Sequence, residues 1–268
     1  MPPALTDAHN HLQDPRLAND LATIVEDMRR AGIASCVVNG TCQQDWPVVA
    51  RLAGSYPGFI RPAFGLHPWK INERTGTWLD DLKSYLDRFP SASLGECGLD
   101  GCDKRPDLAA QTDIFLAHLE LAAERDLPVS VHCVKAFGPL ADALARAPRP
   151  PRGFLLHSYG GSTEFMRRML PLGAWFSCSG YFLHPRKTSH LETFRLVPPD
   201  RFLLESDAPD MAPPDAFLTH PLPCASPPLN HPANLPAIAA GIANAFGEPP
   251  ESLISRTTAN FHRFFGQV

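Results

Sequence analysis

The sequence predicts a single (β/α)8 barrel of the TIM type, and three observations lead to this fold class. Short apolar runs that are typical of strands alternate with helical stretches along the whole chain. Eight such runs can be counted, and 268 residues suit one barrel of roughly 250 residues. Histidines and carboxylates stand near the carboxyl ends of several runs, which meet at one mouth in a barrel. We therefore expect one domain over residues 1–268, with parallel strands, outer helices and an extra C-terminal helix.

The predicted elements follow one another in a regular order. The strands are expected at Leu5–His11, Ile33–Asn39, Ile60–His67, Ser93–Leu99, Pro128–Cys133, Gly153–Ser158, Ala174–Ser179 and Arg201–Asp207. The helices are expected at Asp20–Ala31, Asp45–Tyr56, Trp78–Phe89, Leu108–Arg125, Ala136–Ala145, Ser162–Leu170 and Ser189–Leu196. The fourth helix has the clearest apolar stripe, because Leu108, Phe115 and Leu119 recur at seven- and four-residue steps. A last helical region is predicted from about Pro232 to the end.

Composition argues against several classes of protein. A formal net charge of −4 gives no overall basic field for nucleic acid, so any phosphate must be bound locally. The seven scattered cysteines indicate reduced thiols rather than a disulfide framework. The chain begins without a basic leader and apolar core, and no apolar run approaches the roughly 18 residues of a membrane span. We expect a cytoplasmic monomer that does not bind membranes.

A proline-rich stretch, Ala208–His231, follows the eighth predicted strand. Loops of this length are usually functional or disordered. Because the stretch begins at a strand end, it should lie at the mouth of the barrel. We expect it to form a wall or lid of the pocket, and a loose surface insertion is the alternative.

Six residues near predicted strand ends have the chemistry of one metal site: His9, His11, Glu96, His132, His157 and Asp207. His9 and His11 are two apart in a strand, so their side chains point to the same side and can reach one ion. Imidazole nitrogens suit zinc and its first-row neighbours. Glu96 is a carboxylate within an apolar strand, where a charge is costly unless it is paired or bound to a cation. Its two oxygens could bridge two ions.

The later strands add further candidates. His132 and His157 end successive β-like runs at matching depth, which favours ligation over packing alone. Glu205 and Asp207 share one face, and two inward carboxylates repel each other unless a cation or a proton intervenes. Asp207 is the candidate to bind metal and to take a proton from an attacking water. For Glu205 three roles stay open: support of a ligand, contact with substrate, or a structural hydrogen-bond acceptor.

Two other kinds of residue stand at the strand ends. His67 ends the third predicted strand and could donate a hydrogen bond to a phosphoryl oxygen of a substrate, or it could be a histidine held at the rim. Cys97 and Cys133 each adjoin a proposed ligand. Neighbours in a strand face opposite ways, so these thiols should lie under the helices as small apolar side chains.

The ordered set of motifs resembles the TatD family of metal-dependent hydrolases, within the amidohydrolase-like barrels. No motif is specific alone, and the resemblance lies in their order along nearly the whole chain. The matching segments are Asp7-Ala8-His9-Asn10-His11, Gly65-Leu66-His67-Pro68, Gly95-Glu96-Cys97-Gly98-Leu99-Asp100, Leu156-His157-Ser158 and Leu204-Glu205-Ser206-Asp207-Ala208-Pro209.

The resemblance implies a barrel with two divalent ions, Mg²⁺, Mn²⁺ or Zn²⁺, and nuclease activity that is often exonucleolytic on DNA. His9, His11 and Asp207 would hold one ion, and His132 and His157 would hold the other. Glu96 would join the two. Many members carry an arginine shortly after the histidine of the fifth strand, where this chain has Lys135, which could serve a phosphate as a point charge.

The resulting hypothesis is hydrolysis of a phosphodiester in DNA, or in a small phosphate ester, by water activated on two ions roughly 3.5–4 Å apart. Asp207 and Glu96 would be the catalytic residues, and His67, Glu205 and Lys135 would contact the substrate. One rival is an amide, ester or lactone hydrolase that uses the same metals. The other is a barrel that keeps the metal but serves as a binding protein.

Overall fold

Eight parallel strands form a ring. The computed structural model describes residues 4–222 and 229–267. Its strands are β1 (Leu5–Asn10), β2 (Ile33–Asn39), β3 (Ile60–Phe64), β4 (Ser93–Asp100), β5 (Val129–Val134), β6 (Phe154–Leu156), β7 (Ala174–Cys178) and β8 (Phe202–Leu204), paired in chain order. Just beyond β8, Asp207 N donates to His9 O (3.0 Å) and His11 N donates to Ala208 O (2.7 Å), which joins the last strand to the first. The predicted (β/α)8 barrel is confirmed.

Helices separate the strands along the chain. They are α1 (Leu21–Arg30), α2 (Trp46–Ser55), α3 (Trp78–Arg88), α4 (Leu108–Arg125), α5 (Phe137–Arg146), α6 (Thr163–Met169), α7 (Thr188–Arg195), α8 (Leu235–Phe246) and α9 (Pro250–Phe265). The region predicted to be helical from Pro232 contains two helices, because Gly247 takes a left-handed φ of +74° and ends α8. In the described ranges, no helix has both the length and the apolar character needed to cross a membrane.

Two layers of buried side chains hold the barrel. The larger layer lies between strands and helices, and it contains Cys97, with Cys133 packed against it, as expected. The smaller layer lies inside the ring and consists of Ala8, Val37, Ala63, Leu155, Trp175, Leu203, Phe261, Phe264 and Phe265. The three phenylalanines belong to α9, so the C-terminal helix fills the amino-terminal end of the barrel. The carboxyl end of the ring is left to polar side chains.

Two strands end earlier than the sequence predicts. β6 ends at Leu156 and β8 ends at Leu204, before Ser158 and Asp207. Ser158 and Asp207 have φ of +39° and +52°, and this left-handed backbone turns the chain out of the ladder. The polar residues that follow these strands therefore lie on the first residues of the loops, where their side chains can turn toward the barrel axis.

The proline-rich stretch 208–231 is anchored beside the mouth. Within it, residues 223–228 lie outside the described residues. Asn230 N donates to Pro209 O (2.8 Å), and Asn230 Nδ2 donates to Ser206 O (2.7 Å). Asp210 forms an ion pair with Arg16 of the first loop (2.8 Å). The expectation of a wall or lid stays a prediction.

His118 on α4 fixes the backbone after β3. Its Nδ1 donates to Ile114 O (2.7 Å), its Nε2 accepts from Leu66 N (3.2 Å), and its ring is stacked against Trp78. Burial lowers the pKa of His118 from 6.5 to about 4. The ring is therefore neutral in the folded protein. It holds the backbone at Leu66, one residue before His67.

This burial predicts a pH-dependent stability. An unfolded His118 binds its proton near pH 6.5, whereas the folded one does not, so stability is lost as the pH falls from 6.5 toward 4. Between about pH 7.5 and pH 5 this residue should account for a loss of about 2 kcal/mol in the free energy of unfolding. Urea denaturation of His118→Gln should show a smaller loss over that range than the wild type. His262→Gln on α9 is the control, and equal losses in the wild type and His118→Gln would contradict the prediction.

Candidate metal centre

Glu96 is the centre of the polar cluster at the mouth. It lies on β4 and its side chain is only 2% exposed. Its Oε2 is 3.3 Å from His9 Nε2 and 3.2 Å from His11 Nε2. Its Oε1 is 2.9 Å from His132 Nδ1 and 2.8 Å from His157 Nε2. The two oxygens of one carboxylate thus face two different pairs of imidazoles.

The first donor set includes Asp207. Asp207 Oδ1 lies 3.8 Å from His9 Nε2 and 3.6 Å from His11 Nε2, and the two Nε2 atoms are 3.3 Å apart. A tetrahedral ion with bonds of 2.0–2.1 Å separates its ligand atoms by roughly 3.3 Å. His9 Nε2, His11 Nε2 and Glu96 Oε2 have the spacing of three ligands of one such site, and Asp207 Oδ1 lies within 3.8 Å of both imidazole nitrogens.

The second donor set gathers around Glu96 Oε1. His132 Nδ1 and His157 Nε2 reach it from β5 and from the loop after β6. His67 Nε2 also lies 3.3 Å from this oxygen and 3.3 Å from His132 Nδ1. The six residues predicted as ligands are therefore together, and His67 lies among them rather than at a separate place on the rim.

For three of the histidines, a hydrogen-bond partner indicates which nitrogen of the neutral ring carries the hydrogen. His11 Nδ1 lies 2.8 Å from Asn39 O and must donate to it, which leaves a lone pair on Nε2 for an ion. His132 Nε2 lies 3.2 Å from Asp100 Oδ2, which in the same way leaves the lone pair on Nδ1. His67 has the opposite arrangement, because its Nδ1 accepts from Trp69 N (3.2 Å) and Nε2 carries the hydrogen. His67 is thus a hydrogen-bond donor at the site.

Glycines allow β4 to approach its neighbours closely. A Cβ on Gly98, whose φ is +137°, would lie 2.1 Å from His132 O, and a Cβ on Gly65 would lie 2.7 Å from Glu96 O. Such distances are too short for any other residue without movement of the backbone. Gly65 on the side of β3 and Gly98 on the side of β5 therefore allow close packing of the backbone around Glu96.

Electrostatics divide the carboxylates into two kinds. Burial alone would raise the pKa of Glu96, but His157 and His67 outweigh it and hold the pKa well below its usual range. Burial raises the pKa of Asp207 to about 7, and repulsion by Glu205 adds to the increase. A carboxylate with a pKa near neutrality suits proton transfer at neutral pH. Glu96 suits permanent negative charge.

Glu205 and Lys135 have very different surroundings. Glu205 is fully buried behind His157: its Oε1 accepts from Ser158 N (2.7 Å) and faces His157 Nδ1 at 3.7 Å, and its Oε2 accepts from the Ser177 hydroxyl. This placement argues against contact with substrate, and it fits both support of a ligand and a structural hydrogen-bond acceptor. Lys135 is exposed after β5, and no hydrogen bond or ion pair with residues 4–222 or 229–267 holds its ammonium group.

Asp100 is a site residue that the sequence interpretation missed. Its Oδ2 accepts from Trp69 Nε1 (2.6 Å) as well as from His132 Nε2. A carboxylate behind a ligating histidine fixes the ring and raises its basicity. The signal was present in the sequence, since Asp100 is four residues after Glu96 and shares its face of the strand by the period of two.

The whole chain is similar to known proteins. Residues 6–266 match the model of the TatD related DNase family. The sequence is 30% identical over 256 residues to a 3′-5′ ssDNA/RNA exonuclease TatD of Pantoea vagans, which covers 95% of this chain and 96% of that protein. The crystal structure of YjjV, a TatD homologue from Escherichia coli, superposes with a TM-score of 0.88 at 26% identity, over 97% of both chains.

A more distant likeness is to a lactonase of Listeria monocytogenes, with a TM-score of 0.60 at 13% identity over 99% of this chain and 95% of that one. This likeness is one of fold alone. The matches over the full chain confirm the predicted family and the predicted class of enzyme, a metal-dependent hydrolase. The chain belongs to the TatD related DNase family.

Proposed function

We propose that this protein hydrolyses phosphodiester bonds of single-stranded nucleic acid, DNA in particular, with two divalent ions. The observation that carries the proposal is the division of Glu96 between two donor sets, one with His9 and His11 and one with His132 and His157. Two-metal sites are typical of nucleases and phosphatases. The name of the Pantoea relative supports removal of nucleotides from the 3′ end.

Different residues of the chain would have different roles in this reaction. Divalent ions in the two donor sets would polarise a phosphoryl oxygen and acidify a water. Asp207 would orient that water and accept its proton, since its carboxylate lies beside His9 and His11 at the first donor set. The water oxygen would form the new bond to phosphorus while the bond from phosphorus to the leaving ester oxygen breaks, and the proton taken up by Asp207 would pass to that leaving oxygen. His67 would donate from Nε2 to a phosphoryl oxygen, and Glu205 would hold the ring of His157.

The rival activity on amides, esters or lactones would use the same water and the same metals. The fold likeness to a lactonase gives it no site-specific support. Cationic side chains beside the mouth favour phosphate instead: Lys135 is exposed after β5, and Arg105 Nε lies 3.9 Å from Asp100 Oδ2. A substrate panel that includes a lactone and an aryl ester tests both activities.

The proposed function leads to two predictions, and the first concerns Asp207. Asp207→Asn keeps the size of the side chain but removes the proton acceptor, so cleavage of end-labelled single-stranded DNA in Mg²⁺ or Mn²⁺ should fall about 10²- to 10⁴-fold. Asp210→Asn, three residues further on, is the matched control and should retain activity. Circular dichroism and thermal unfolding would verify that both variants fold. Unchanged DNA cleavage by Asp207→Asn, or cleavage of the lactone alone by the wild type, would overturn the proposal.

The second prediction concerns the number of ions. After dialysis against Mn²⁺ or Zn²⁺, elemental analysis should find two ions per chain in the wild type. His132→Ala removes a donor of the second set only, so we expect about one ion per chain. His262→Gln on α9 is the control, because it changes a histidine outside both sets and should still bind two. A single ion in the wild type, or two in His132→Ala, would contradict the two-metal assignment.

A further inference from the structure

A tryptophan is exposed beside the metal centre. Trp69 follows His67 after β3, and it is 45% exposed, whereas the other three tryptophans of the chain, Trp46, Trp78 and Trp175, are buried. Its ring centroid lies 4.9 Å from that of His67 and 6.2 Å from that of His132. A single exposed ring is ordinary on a protein surface, so the position of Trp69 beside the candidate metal centre is what makes it a candidate contact for the substrate.

The tryptophan is held in place rather than free to turn. Its indole Nε1 donates to Asp100 Oδ2 at 2.6 Å, which fixes the ring plane. The guanidinium carbon of Arg105 lies 3.6 Å from the ring centroid, in a cation–π stack. Arg105 is itself 32% exposed, and its Nε is 3.9 Å from the same Asp100 oxygen. Trp69 and Arg105 thus form a stack that carries a positive charge, here called the stacking pair.

We infer that the stacking pair binds a nucleobase of the single-stranded substrate, next to the phosphate under attack. This inference rests on the proposed phosphodiester hydrolysis and names the part of the substrate that the site recognises. Aromatic rings and arginine planes stack on any base, which suits binding without sequence preference. The bases of a duplex are paired and stacked on each other, so this surface also selects single strands.

The position of the pair supports its role beside the reacting phosphate. Asp100 contacts both Trp69 and His132, so the stacking surface and the second donor set are joined through one carboxylate. Trp69 N donates to His67 Nδ1, which links the same surface to the proposed phosphate donor. A base on the stacking pair would therefore set the position of its own phosphate relative to His67, while the Arg105 charge attracts the phosphate backbone.

The test compares substrates with and without bases. A short oligonucleotide labelled at its 5′ end is prepared with normal or with abasic nucleotides at its 3′ end. We expect the wild type to show a KM roughly 5- to 150-fold lower for the normal substrate, as one stacked base provides. Trp69→Ala should lose this discrimination, with a raised KM for the normal substrate and little change in kcat. Trp69→Phe, which keeps a ring but loses the indole N–H, should keep part of it.

Binding gives a second readout that does not need cleavage. Because the other tryptophans are buried, quenching of intrinsic fluorescence by oligothymidylate reports on Trp69. In the Asp207→Asn background we expect quenching with Trp69 present and its loss in Trp69→Phe. Leu196→Ala, which removes an exposed apolar side chain after α7, is the control and should leave quenching and KM unchanged.

The outcomes separate the two proposals. Normal DNA cleavage with equal KM for both substrates, or discrimination that survives in Trp69→Ala, would overturn the stacking subsite and leave the proposed function standing. A fall in kcat alone, equal in Trp69→Ala and Trp69→Phe, would also overturn it, since that pattern reports only the lost bond to Asp100. If the wild type cleaves no phosphodiester and oligothymidylate quenches no fluorescence, both proposals fail together.

Discussion

A buried carboxylate surrounded by imidazoles is the constraint on which this structure depends. Charge inside a barrel is unfavourable unless opposite charge or hydrogen-bond donors surround it. Glu96 meets that requirement with histidines from four separate parts of the chain, each within 3.3 Å of one of its oxygens. The strands that carry or precede these histidines must therefore keep their register with one another, so that the imidazoles stay beside Glu96. The fold places the histidines, and the histidines in turn stabilise the buried charge of Glu96.

The two ends of the barrel are closed in different ways. At the amino-terminal end, phenylalanines of α9 pack among Ala8, Leu155 and Leu203, which is an apolar plug. At the carboxyl end, the ring between β8 and β1 is joined by backbone bonds of His9 and Asp207, which are also candidate ligands. Movement of either strand would separate these side chains. The apolar plug at the amino-terminal end and the polar closure at the carboxyl end together limit the positions that the site residues can take.

Chain order alone predicted much of the fold and most of the site, because the carboxyl ends of parallel strands converge whatever the details of packing. This is why the proximity of His9, Glu96 and Asp207 could be predicted from the sequence alone. The direction in which each imidazole presents its nitrogens could not be predicted, since it depends on partners from other loops. Asn39 O decides this for His11, and the backbone of Trp69 decides it for His67.

Trp69 links the surface of the protein to the protonation of its centre. Its backbone N–H occupies His67 Nδ1 and so places the hydrogen of that ring on Nε2, toward Glu96. Its indole N–H shares Asp100 with His132 Nε2, and that carboxylate directs the lone pair of His132 Nδ1 inward. One residue in the loop after β3 therefore helps to make one histidine a donor and its neighbour an acceptor. In the proposed reaction His132 binds an ion and His67 donates to phosphate, and this difference lies between two rings whose nitrogens are only 3.3 Å apart.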